Sequence, residues 1–538
     1  VSVPEITYKP QSYGGLLAKT SVLLAGITLL IAISGFFKEI ATATAYGASA
    51  ELDAYLVALT LPVFLWGIYG DLITGSFIPV RADLLAHHPD ETEGFVDSIF
   101  SGTILFFVAS IAAVFLIQEI VLGALAPGFS RSGTLLTGGL LALVLPATLF
   151  LGLAEFERNL LNAVGVFIAP AFSYVIPSAL TIVAIIALAP RWGIFAAAGG
   201  YLLGSILQVV FLSIWLLKRD LLPRIRIRFW HPYTVKLLAL GMPLVLGGIL
   251  TSLYPFVDRA MASFLPSGSI AALGYADKLT NQVRLIFAYS LVTVVFPHFA
   301  HLASRQENHL VAERLRAMMR WGVLLLLPCV LLLATANQQI IEFLFQRGAF
   351  GMRDTALTAS ALFGYSLGIL FSTSGILVQR AFLAFQDAWI PFLSSLVFIC
   401  GKVIFNILLI PIFGHTGIAI STSLSYLCSF VLLVAALRRL GFHFRWINQA
   451  RWIGKMLVAS AIMVIIVNVL EYLFSLQAAS PLNNLVFLGF ASLCGITSFY
   501  LVGLALGIVE IREAVGSVMT RLRLSVRFVK EGVSGQAR

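Results

Sequence analysis

Two cations, Lys38 and Arg259, stand 221 positions apart in a chain with few charges. The same offset relates Gly47 to Gly268, Phe129 to Phe350, Pro170 to Pro391, Pro190 to Pro411 and Gly193 to Gly414. An ionisable side chain inside hydrocarbon costs several kcal/mol unless it faces protein or water, so each one is a candidate for function. Others singled out within or beside apolar runs are Glu39, Asp53, Asp71, Asp258, Asp277, Lys278, Arg284 and Lys402. If Lys38 and Arg259 line one seam from two equivalent halves, that seam suits an anionic substrate. Phosphate or pyrophosphate is the natural candidate, because charge-assisted bonds to its oxygens are strong. Plainer roles compete: Lys38 could snorkel to an interface, Asp53 could cap the second span, and Arg259 could pair with Asp258 or Asp277.

The elements that must position these groups follow from composition. Of 538 residues, 59% are hydrophobic and 11% charged, against about 25% charged in soluble domains. Runs long enough to cross about 30 Å of hydrocarbon recur throughout. They fall at 17–45, 54–80, 97–125, 134–160, 165–189, 193–217, 237–264, 270–299, 320–346, 355–384, 388–411, 416–437, 452–473 and 483–509. The fold class is therefore an all-α integral membrane protein of about fourteen transmembrane helices. The repeated prolines and glycines make it two parallel six-helix lobes, 1–217 and 237–440. A basic linker, 218–236, joins them, and an extra helix pair, 452–509, and a basic tail, 510–538, follow. Six spans per unit keep both units in one orientation, a transporter architecture with its site expected at the repeat interface.

Lys and Arg concentrate at 218–236, 305–320, 438–451 and 512–530, while loops 46–53, 265–270 and 474–482 have none. By the positive-inside rule both termini are cytoplasmic. The net charge of +10 is then a topology signal, with basic loops against anionic lipid. No nucleic-acid partner is expected, since no sizeable soluble domain exists to carry one. The N-terminus is polar and its first apolar run is followed directly by Lys38-Glu39, so no cleavable signal is expected. The four cysteines lie in or beside spans without metal spacing and are expected as buried, reduced thiols.

Catalytic chemistry finds little support. The longest loops are cytoplasmic and show no nucleophile–base pair. His87-His88 is expected to be solvated, and His298 and His301 have no carboxylate at matching spacing, so no metal is assigned. No Gly-x4-Gly-Lys-Ser/Thr segment is present, which excludes direct use of ATP by that motif. No cofactor is expected. The expected driving force is the membrane potential or an ion gradient.

A longer pattern is carried by Val257-Asp258-Arg259-Ala260-Met261-Ala262-Ser263-Phe264-Leu265-Pro266-Ser267-Gly268, running on to Tyr275-Ala276-Asp277-Lys278. With it come Ala126-Pro127-Gly128-Phe129, Leu161-Asn162, Phe345-Gln346-Arg347-Gly348-Ala349-Phe350, Arg380-Ala381-Phe382 and Gly414-His415-Thr416-Gly417. In that order, over roughly 15–510, the chain resembles the MviN/MurJ family of lipid II flippases. The resemblance implies a two-lobed transporter of the multidrug/oligosaccharidyl-lipid/polysaccharide exporter superfamily in the bacterial inner membrane. Its cargo would be an undecaprenyl-pyrophosphate-linked precursor of peptidoglycan, hence a role in cell wall and cell shape. A cationic cavity would take the head group, and the last two helices would form a groove for the lipid tail. Carried onto this sequence, the substrate-binding residues are Lys38, Asp53, Arg259 and Lys278.

Departures from the family pattern are specific. Ala32 and Lys38 stand where relatives carry arginines, no basic residue lies between Lys38 and Arg81, and the YADR motif ends in Lys278. Lysine keeps the charge and loses the bidentate fork. The resemblance also implies a cation site from polar residues on spans seven, eleven and twelve, here Asp258, Lys402 with Asn406 one turn on, and Thr422. The expectation is that the Lys402 ammonium takes the place of a sodium ion and pairs with Asp258. The alternatives are a flippase for another lipid-linked glycan, or a cation-coupled drug exporter that would bind organic cations and ignore polyprenyl pyrophosphates.

Overall fold

Hydrocarbon offers the backbone no partner for its N–H and C=O groups, so a chain this apolar closes its hydrogen bonds within helices. The computed structural model of the chain describes residues 13–226, 231–305, 308–440, 446–475 and 481–513, and no strand occurs among them. Thirteen stretches of these residues are long and apolar enough to span a membrane. The fourteenth expected span, 270–299, is also helical, and its side chains at 288–298 lie outside the described residues. His298, and with it His301, falls outside for the same reason, as do Arg228, Arg445 and the tail cations Arg521, Arg523, Arg527 and Lys530.

The fold divides into two compact units, one of residues 1–271 with 345–354 and one of 272–344 with 355–538. The first contains α1 (Tyr13–Tyr46), α2 (Ala50–His87), α3 (Thr92–Leu116), α4 (Gln118–Leu125), α5 (Arg131–Val144), α6 (Ala147–Ala163), α7 (Ile168–Ser173), α8 (Val175–Trp192), α9 (Phe195–Leu217) and α10 (Pro232–Ala262). The sequence repeat begins its second half at α10, yet α10 packs along α2. Their approach is close because Gly241 and Gly248 of α10 leave room for Leu72 and Asp71 of α2. An ion pair joins the same two helices, Lys236 to Asp83 at 2.6 Å. His87, expected to be solvated, is exposed beside Asp83. The linker is pinned too: Arg224 N donates to Asp97 at 2.8 Å, and Arg226 Nε lies 2.7 Å from the same carboxylate. An aromatic core sits between α2, α3 and α6, with Phe77 stacked on Phe95 and edge-on to Phe156 at 5.9 and 5.3 Å.

The second unit contains α11 (Ser269–Ser304) beyond Ala271, α12 (Asn308–Thr335), α13 (Asn337–Phe345) up to Leu344, α14 (Met352–Ser366) from Thr355, α15 (Ile369–Ala384), α16 (Trp389–Phe413), α17 (His415–Ala436), α18 (Trp446–Ser475) and α19 (Pro481–Ala505). The terminal pair α18–α19 packs on α12 through Leu324, Met463, Val467 and Phe499. Polar bonds fasten it at both ends: Glu510 holds Arg320 at 3.1 Å and Trp452 Nε1 at 3.2 Å, and Gln339 donates to Glu471 at 2.7 Å. The cysteines correct an expectation, for none is fully buried and Cys400 is exposed.

The internal repeat is visible in the backbone. Gly193, before α9, has φ 55° and ψ −138°, and Gly414, before α17, has φ 57° and ψ −134°. Only glycine adopts that conformation without strain, so the sequence match at offset 221 encodes the same corner twice. Close packing follows each corner. On α9, a Cβ at Gly204 would lie 2.6 Å from Pro177 Cα, and one at Gly200 would lie 2.6 Å from Ala184 Cβ. Small residues four apart let helix backbones approach in lipid. Gly204→Val should therefore destabilise the detergent-purified protein by about 1–3 kcal/mol, read as a lower thermal midpoint. Gly199→Ala, whose new methyl meets nothing within 4 Å, should leave the midpoint unchanged.

Candidate functional site

In the first unit, α2 holds two of the residues singled out in sequence. Its own N-cap is Ser49, whose Oγ accepts from Leu52 N at 3.2 Å. Asp53 is a cap of another helix. It is 4% exposed, and its two oxygens accept from Gly268 N at 2.6 Å and Ala271 N at 2.7 Å, the start of α11. A carboxylate there satisfies orphan N–H groups and the positive end of the helix dipole together. Gly268 has φ +89°, which lets the chain turn back onto Asp53. One and two turns further along α2, Leu56 O accepts from Arg259 Nη1 at 2.6 Å, and Thr60 Oγ1 bonds the same nitrogen. Residues 53–60 thus bring Asp53 and Arg259 onto one stretch. Lys38 lies on α1 beside Glu39 at 3.4 Å, with 30% of its side chain exposed.

In the second unit, Lys402 and Asn406 on α16 are completely buried against α17. Lys402 Nζ donates to Thr422 Oγ1, which itself donates to Ile418 O at 2.9 Å, and Asn406 Oδ1 accepts from Ser421. Three of the four residues expected at a cation site are therefore gathered, in one seam. Asp258 belongs to the first unit and Lys402 to the second. Lys278 is half-buried on α11, and two turns on Arg284 donates to Asn281 Oδ1 at 2.6 Å and to the Tyr426 hydroxyl.

Sequence reasoning passed over a buried polar cluster of the first unit. Glu155, Glu157, Arg158 and Asn159 of α6 are 6, 1, 3 and 3% exposed. Arg158 Nη2 lies 2.5 Å from Glu155 Oε2, and its guanidinium stands 4.1 Å over the Tyr174 ring. The signal was available: two carboxylates and a guanidinium within four residues, inside the run 134–160. An apolar groove of about 850 Å³ also runs between α1 and α8, past Ile33, Phe37, Ile40, Ile182, Ile186 and Pro190. Nothing charged lines it, so it does not suit a phosphate. Among the described residues no three His, Cys, Asp or Glu gather as a metal set.

Known proteins resemble this chain. A family model described as lipid II flippase MurJ matches residues 42–487. A probable lipid II flippase MurJ of Buchnera aphidicola subsp. Schizaphis graminum is 28% identical over 454 residues, 82% of this chain and 88% of the relative. The lipid II flippase MurJ of Burkholderia cenocepacia is 25% identical over 443 residues, 79% and 85% of the two chains. A solved lipid II flippase MurJ in an inward closed conformation superposes with a TM-score of 0.77 at 23% identity, covering 92% of this chain and all of that one. An inward-facing multidrug resistance MATE family transporter of the MOP superfamily gives 0.61 at 13% identity, covering 78% and 98%. These two likenesses are of fold.

The capping role of Asp53 can be measured. Asp53→Ala leaves two buried N–H groups unpaired, and each lost charge-assisted bond costs about 1.5–3 kcal/mol. The thermal midpoint should fall sharply, and Asp53→Asn, which keeps one acceptor, should fall less.

Proposed function

The chain belongs to the lipid II flippase MurJ family, and from that premise we propose that it carries a polyprenyl-pyrophosphate-linked glycan, lipid II, from the cytoplasmic to the outer leaflet of a bacterial inner membrane. The observation that carries this reading is the family match over residues 42–487. The mechanism is alternating access with no covalent step and no catalytic residue. Lys38 and Arg259 bind the pyrophosphate, Lys278 adds a point charge, and Asp53 holds the chain turn beside Arg259. Arg259 suits its part because α2 already fixes the direction of its guanidinium, so little freedom is lost when an anion arrives. Both termini face the cytoplasm, and the cycle draws on the membrane potential or an ion gradient. Lys402 serves as a built-in cation against Thr422, in the place of a bound sodium ion.

Complementation tests the substrate. A strain depleted of its lipid II flippase should grow when this chain is expressed. Failure with good membrane expression would move the substrate to another lipid-linked glycan. Binding of organic cations by the purified chain, without binding of polyprenyl pyrophosphate, would replace the reading with a drug exporter.

In the same strain, Lys38→Ala combined with Arg259→Ala should abolish rescue while membrane insertion persists. Each charge-assisted bond is worth about 1.5–3 kcal/mol, tenfold or more in affinity. Unimpaired rescue by the double variant would remove these cations from the site. Transport by the unaltered chain in vesicles should be indifferent to sodium, and Lys402→Asn should lose activity unless sodium is supplied. Strong sodium stimulation of the unaltered chain would refute the role given to Lys402.

A further inference from the structure

Helix α6 carries a carboxylate that the proposed substrate path does not use. Glu157 is 1% exposed. Its Oε1 accepts a single hydrogen bond, from Ser213 Oγ of α9 at 2.7 Å, and its Oε2 has no partner. The two α6 residues beside it are committed elsewhere. Glu155 takes Arg158 Nη2 at 2.5 Å, Asn159 Nδ2 at 3.1 Å and Thr74 Oγ1 of α2 at 3.3 Å. Arg158 spends its face on Tyr174, and its Nε and Nη1 have no partner.

Charge counting sets the requirement. Two carboxylates and one guanidinium leave one negative charge too many, and Glu155 holds the only ion pair of the three. An anionic Glu157 would keep a bare charged oxygen out of water, which costs far more than a bare hydroxyl in the same place. A neutral acid fits the bonding: Oε1 as the carbonyl accepts from Ser213, and Oε2 carries the proton. Among the described residues no cation pairs with Glu157: Arg219, just after α9, donates to Trp215 O at 3.3 Å and stands over that ring, and Lys218 is exposed. From α2 come Tyr69, Asp71 and Arg81, the last donating to Ala163 O at 3.5 Å. From α3 comes Asp97, held by Arg226 at 2.7 Å. Tyr174 follows α7, Tyr201 lies on α9, and Arg131 opens α5.

We propose that Glu157 is a proton-binding site of the first unit, loaded in this conformation and emptied in the one that admits water between α6 and α9. In the emptying step the Oε2–H bond breaks, the proton passes to water, and the carboxylate that remains is stabilised by hydration. Coupled to the transport cycle, this site makes the proton a coupling ion. That coupling rests on the proposed function, whereas proton binding does not.

The test uses the full chain in phosphatidylethanolamine–phosphatidylglycerol vesicles. Infrared difference spectra between about pH 5 and 9, a window wide of ordinary glutamate titration, should contain the carbonyl stretch of a protonated carboxyl. Glu157→Gln should remove that band, Ser213→Ala should move it to higher frequency by deleting the bond to Oε1, and Glu155→Gln, which removes the surplus negative charge and frees Arg158, should weaken it. Ser213→Ala carries the test even if the Gln variant does not fold. A band indifferent to Ser213→Ala, or no band at all, overturns the site. With a fluorescent polyprenyl-pyrophosphate glycan in the same vesicles, an imposed pH gradient should change the initial transport rate at least tenfold. Rates that ignore the gradient overturn the coupling, whereas a glycan that is not moved at all overturns the flippase reading instead.

Discussion

An unpaired peptide group inside a bilayer costs several kcal/mol and an unpaired charge costs more, and the residues of this chain are distributed around that penalty. Backbone groups are closed within helices almost everywhere. Where helices break, side chains take over. Asp53 is the clearest instance, since one carboxylate satisfies Gly268 N and Ala271 N where α11 begins. Asp354 does the same for Ala48 N and Gly351 N, both at 3.2 Å.

The same penalty explains where cations sit. Arg259 is steadied by a carbonyl and a hydroxyl of α2, Lys402 by Thr422, and Lys38 by its neighbour Glu39. The terminal pair α18–α19 shows the penalty at work in assembly, for Glu510 and Glu471 meet donors on α12, α13 and α18 rather than facing lipid.

Close packing is the second constraint. Glycines at 200, 204, 241 and 248 let neighbouring helices approach until any side chain would collide. In lipid, association gains little from hydrophobic burial, so contact area and interhelical bonds decide it. That is why α10, which the repeat assigns to the second half, lies along α2 in the first compact unit.

Class, span number, the doubled architecture and the family were readable in the sequence because they depend on local or periodic properties. Hydropathy over twenty residues identifies a span whatever its neighbours do, and a glycine at 193 and again at 414 fixes the same corner by its own φ and ψ. Lys38, Arg259 and Lys402 stood out as charges in apolar runs for the same reason. What the sequence left open were partners. Asp53 and Gly268 are 215 positions apart, Arg259 and Thr60 are 199 apart, and Glu157 and Ser213 are 56 apart. No period or propensity links such pairs. Only the folded bundle decides which charge meets a donor, and that it leaves one oxygen of Glu157 without one, because pairing in a low-dielectric interior depends on distance in space and not on position along the chain.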